Sequence, residues 1–65
     1  MPFVQITILP QSAEKKAELS KAITDEMNRI TGIPKEVISI GYYELPAESF
    51  ATSGIMLTEK FKKEH

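Results

Sequence analysis

Two β-branched runs with one long amphipathic segment between them govern what this chain can fold into. The first run, Phe3 to Leu9, reads FVQITIL. Val4, Ile6 and Ile8 alternate with Gln5 and Thr7, which predicts a strand with one strongly apolar face. Pro10 ends it, because proline brings no N–H to a strand interior. Ser12 is a good N-cap, and Glu14 falls in the first turn, where a carboxylate suits the helix dipole. From Ala13 to Thr31, Leu19, Ala22, Ile23, Met27 and Ile30 recur at three- and four-residue steps and define one helical face. Lys15, Lys16, Glu18, Lys21, Asp25 and Glu26 mostly fall elsewhere and read as solvated. Arg29 suits the negative end of the dipole, Gly32 is a natural C′ residue, and Pro34 blocks continuation. Val37 to Glu44, VISIGYYE, is the second strand. Strand, helix and strand in this order predict a βαβ unit with parallel strands and a right-handed crossover.

Leu45 to Gly54, LPAESFATSG, reads as a loop or a single helical turn. Beyond it, Ile55 to Leu57 could be a hairpin arm and Thr58 to Lys63 a frayed helix. There is no repeat, and residues 1–65 read as one domain. Two strands and one helix leave a sheet face uncovered, and that face must meet another subunit. Size argues the same way. A chain of 65 residues hides only roughly 60% of its unfolded surface. The usual supports for so small a core are disulfides, metals or oligomers. With no cysteine and a single histidine, His65, disulfides, thiolate zinc sites and polyhistidine metal sites are excluded. An oligomer is therefore expected over a lone monomer.

Charge narrows the partners. Eight basic and nine acidic residues give a net charge of −1, whereas a nucleic-acid binder carries a basic face. The one basic cluster, Lys60, Lys62 and Lys63, reads as a solvated end. No apolar run approaches the length of a membrane-spanning helix. Met1-Pro2-Phe3 lacks the features of a secretory signal, so the cytoplasm is the expected location.

Conventional catalytic motifs are absent. Gly32, Gly41 and Gly54 are too scattered for a phosphate loop, and a Ser-His-Asp triad would have to use His65. Glu44 and Glu48 could form a carboxylate pair, but solvated loop acids are the plainer reading. Pro2 remains. Behind an initiator methionine a proline is normally exposed by aminopeptidase, and taken alone it reads more plainly as a stable terminus. Once exposed it is a secondary amine at the start of a strand, able to serve as a general base or as a nucleophile. An ordinary α-amino group titrates at about 7.7–8.0. Burial or a nearby cation would bring the more basic proline amine down toward working pH.

Together these residues resemble the 4-oxalocrotonate tautomerase family: Pro2 to Leu9, the Ser12-to-Gly32 helix, Pro34, Tyr43-Glu44-Leu45-Pro46, and Phe50 with Gly54. The resemblance covers nearly the whole chain. It implies an α/β tautomerase-like βαβ subunit with a short C-terminal hairpin or strand, assembled as a hexamer, a trimer of dimers. It also implies catalysis without metal or organic cofactor. Pro2 takes the role of the base that moves a proton within an enol or 2-oxo acid substrate. Phe50 takes the place of an aromatic that lines the pocket, with Leu9 as further apolar lining.

The departures concern charge. Family members hold a dicarboxylate with two arginines. One follows the first strand, where this chain has Gln11 after a one-residue deletion, or Ser12 without it. The other lies early in the second strand, where this chain has Ser39. Arg29, the only arginine, is at the helix end. An arginine fork binds a carboxylate through two charge-assisted hydrogen bonds, whereas Gln11 and Ser39 offer neutral ones. The resemblance therefore implies a tautomerase acting on a less charged substrate, or else a weak or inactive member that serves as a binding or assembly module.

Overall fold

The computed structural model describes residues 2–63, so Met1 and His65 lie outside the described residues. Strand β1 (Phe3–Ile8) is followed by helix α1 (Ala13–Thr31) and strand β2 (Ser39–Glu44). The two strands pair in parallel, with Phe3 opposite Ser39, Gln5 opposite Gly41 and Ile8 opposite Glu44. The helix runs over the expected residues for the expected reasons. Ser12 is its N-cap, and the Ser12 hydroxyl accepts the Lys15 N–H at 3.2 Å. Gly32 closes it at φ 79, the left-handed conformation that glycine adopts without penalty, donating to the Asn28 carbonyl at 2.9 Å. The second strand begins later than Val37. Behind Pro34, a 3-10 turn over Lys35–Val37 is closed by bonds from Val37 N to Pro34 O and from Ile38 N to Lys35 O.

After Glu44 a second 3-10 turn, Ala47–Ser49, leads into a hairpin of β3 (Ala51–Thr52) and β4 (Ile55–Met56), then helix α2 (Leu57–Lys63). The hairpin turn holds Ser53 at φ 55 and Gly54 at φ 77. Two successive positive φ angles give the twist that a two-residue hairpin needs.

The alternation of β1 is realised as a two-sided sheet. Val4, Ile6 and Ile8 are half-buried, while Phe3, Gln5 and Thr7 are exposed. Phe3 is 65% exposed and Tyr43 57%, on the outward face with Gly41. The helix presents Lys16, Ser20, Ile23 and Met27 as half-buried positions. Ser20 and Lys16 meet the sheet through Tyr42, whose hydroxyl lies 2.7 Å from Ser20 Oγ and donates to the Lys16 carbonyl at 3.1 Å. Ile30, on the same apolar stripe, is 70% exposed. An apolar trough of about 390 Å³ runs along the helix between Ala22, Ile23, Met27 and Ile30. Among the described residues no side chain is fully buried. Among the described residues a sheet face and a helix flank are both open in the single chain.

Candidate active site

Pro2 sits at the entry of β1, half-buried. Its carbonyl accepts the backbone N–H of Ser39 at 3.1 Å. That bond extends the parallel ladder by one rung and fixes Pro2 against the first residue of β2. Pro2 and Ser39 are thus brought together at one end of the sheet.

Leu9 and Gln11 are brought together at the other. Gln11 Nε2 donates to the Leu9 carbonyl at 3.1 Å, and Leu45 N donates to Ile8 O at 2.9 Å. The six residues of β1 separate the two groups by about 20 Å, at about 3.3 Å per residue. Phe50 belongs to neither. It is half-buried at the root of the hairpin, its N–H bonded to Ala47 O at 3.2 Å and its carbonyl accepting from Leu57 N at 2.8 Å. One chain therefore holds the expected site residues in separate places.

The Gln11 end carries charge that the sequence pattern predicts as solvated. Lys16 Nζ lies 2.8 Å from Glu44 Oε1, both side chains more than two-thirds covered. The other carboxylate oxygen, Glu44 Oε2, accepts the backbone N–H of Gln11 at 2.7 Å. Hydrogen bonds from Lys16 and then from Gln11 N hold the Glu44 carboxyl below its ordinary pKa. Glu44 is thus no free loop acid paired with Glu48. Lys16 lies one turn before Ser20, in line with Ile23 and Met27, and that spacing is the signal that puts it on the sheet side. On the opposite flank Asp25 binds Lys21 at 2.8 Å and Lys35 at 2.9 Å. Bonds from those lysines bring its pKa down to about 2.

Among the described residues no cluster of three metal-ligating side chains occurs, and no helix is long and apolar enough to cross a membrane.

The parallel βαβ unit, its hairpin extension and Pro2 at the entry of β1 are the arrangement expected of the tautomerase family. The comparisons agree. The family described as tautomerase enzyme matches residues 2–60, and the chain belongs to that family. A protein named probable tautomerase from Streptococcus thermophilus is 33% identical over 57 residues, covering 86% of this chain and 93% of that protein. One from Streptococcus mutans is 32% identical over the same length and shares. Among solved structures, TomN, a 4-oxalocrotonate tautomerase homologue of the tomaymycin biosynthetic pathway, is similar at a TM-score of 0.92 and 25% identity. The match covers 98% of this chain and all of that one. A heterohexamer 4-oxalocrotonate tautomerase from Chloroflexus aurantiacus is similar at 0.85 and 28% identity, over 91% of this chain and 97% of that one.

Proposed function

We propose that this protein is a cofactor-independent keto-enol tautomerase whose base is the amine of Pro2, exposed by removal of Met1. The observation that carries this reading is the Ser39 N–H to Pro2 carbonyl bond at 3.1 Å, in a chain of the tautomerase family. A base is useful when its lone pair is held still, and proline contributes no side-chain rotamers to the cost of holding it. In the reaction the neutral amine takes the proton from the 2-hydroxyl of an enol. The resulting ammonium returns a proton to C3, leaving a 2-oxo acid and the free amine. Proton count is conserved, and no electron acceptor is needed.

The separation of Pro2 from Gln11 supports a site assembled from more than one chain, with Gln11 and Leu9 of one subunit serving the Pro2 of another in a homohexamer. Phe50 supplies apolar wall. Gln11 and Ser39 hydrogen-bond substrate without charge. A lost charged hydrogen bond costs about 1.5–3 kcal/mol, and about 1.4 kcal/mol is tenfold. A dicarboxylate deprived of two arginine forks should therefore turn over at least about 100-fold less efficiently than a monocarboxylate matched to the pocket. The test is kcat/KM of the Met1-free protein on an aryl enolpyruvate against 2-hydroxymuconate. Preference for the aryl monocarboxylate supports the reading; preference for the dicarboxylate contradicts it.

The uncharged Gln11 and Ser39 also favour a second reading, that the chain is a weak or inactive family member acting as a binding or assembly module. Absence of turnover on both substrates by Met1-free protein selects it.

A further inference from the structure

Glu44 closes β2 opposite Ile8, the last residue of β1. Its two carboxylate oxygens do different work. Oε1 faces the Lys16 ammonium on α1 at 2.8 Å, and Oε2 accepts the Gln11 backbone N–H at 2.7 Å. The segment from Leu9 to Ser12 has no ladder of its own, since Pro10 cannot donate and β1 has ended. Gln11 N is the first amide after Pro10, and a carboxylate makes a stronger acceptor than a neutral group. The Gln11 side chain then folds back on the Leu9 carbonyl at 3.1 Å, so one bond to Glu44 sets both residues.

We propose that Glu44 is a positioning residue for substrate recognition: through the Gln11 amide it fixes the loop that presents Gln11 and Leu9 to the active site. The proposal rests on the tautomerase reading for its kinetic consequence, but its structural half stands apart from it. The Lys16 ammonium meets Glu44 Oε1 from the helix side while the Gln11 amide meets Oε2, which separates clamp from ion pair. Glu44→Ala removes both bonds. Lys16→Met removes only the ion pair and keeps most of the packing of the stem. Glu44→Gln keeps an oxygen that can accept from Gln11 N.

The experiment uses the assembled, Met1-free protein. Amide hydrogen exchange reads the bond at Gln11 directly. Protection of that amide should fall at least about tenfold in Glu44→Ala, hold within about twofold in Lys16→Met, and recover in Glu44→Gln. Steady-state kinetics on an aryl enolpyruvate should show KM raised about tenfold by Glu44→Ala with kcat within about twofold, again recovered by Glu44→Gln. Gln11→Ala added to Glu44→Ala should raise KM no further, because residues acting through one another are non-additive. Equal Gln11 protection in wild type and Glu44→Ala overturns the proposal, as does full additivity of the two variants, or a KM for Lys16→Met as high as that of Glu44→Ala. If Pro2→Ala is as active as wild type while Gln11 protection depends on Glu44, the base assignment fails and the clamp survives. The reverse pattern leaves the base and removes the clamp.

Discussion

Ser39 donates its backbone N–H to the Pro2 carbonyl at 3.1 Å, so the first residue of β2 fixes the residue that precedes β1. A residue held this way differs from a frayed one. It gives Pro2 a defined place on the sheet.

Restoring charge tests whether Gln11 and Ser39 face one pocket. Gln11→Arg with Ser39→Arg should shift preference toward 2-hydroxymuconate over the aryl monocarboxylate by about 100-fold, from two charge-assisted contacts. Either substitution alone should give a smaller shift. No change in the kcat/KM ratio of the double variant would show that the two positions do not meet around the substrate.

The helix offers a contrast between its faces. Ile23 is half-buried and lines the apolar trough. Ile23→Asp should destabilise the fold by more than about 2 kcal/mol, because it places an unpaired charge among apolar groups. Lys15 is exposed, and Lys15→Asp should stay within about 0.5 kcal/mol. Chemical denaturation of the two variants at one protein concentration reads the difference.

At the end of the helix, Gly32→Ala places a Cβ on a residue at φ 79. The cost should be about 1 kcal/mol and should appear as a lower denaturation midpoint at unchanged slope.

Acid should weaken the fold through two carboxylates. Asp25 has its folded-state pKa lowered from 3.8 to about 2, and that of Glu44 is also lowered. A lowered folded pKa means stability that is present above the unfolded pKa and lost as pH falls through the folded one. For Asp25 the loss should run from about pH 4 to about pH 2. Both pairs are partly solvated, so salt should shrink the effect. Thermal scans across pH should show a shallower acid decline for Asp25→Asn than for wild type.

The fold was legible because its punctuation is local. Ser12, Gly32 and Pro34 mark the helix from residues within a turn of its ends, and the alternation of Val4, Ile6 and Ile8 names the covered face of β1. Val37 reads as strand because it has strand propensity, while the 3-10 turn behind Pro34 depends on backbone bonds that composition does not encode. Lys16 and Glu44 were read as solvated because their contact joins residues 28 apart in sequence, and polar side chains hide the face they occupy. Gln11 and Pro2 were named as parts of one site, yet β1 holds them apart. A one-dimensional reading aligns site residues without saying where in space they lie.

The central claim is that the Pro2 amine is the base. The most direct measurement is ketonisation of an aryl enolpyruvate by three proteins, each with its amino terminus verified by intact mass: wild type lacking Met1, wild type retaining Met1, and Pro2→Ala. The Met1-free wild type should be active. The Met1-retaining form, in which the Pro2 nitrogen is an amide without basicity, should fall at least about 100-fold, as expected for loss of a general base, and Pro2→Ala, which keeps only a primary amine, should fall between the two. Indistinguishable rates for Met1-free wild type and Pro2→Ala would contradict the account.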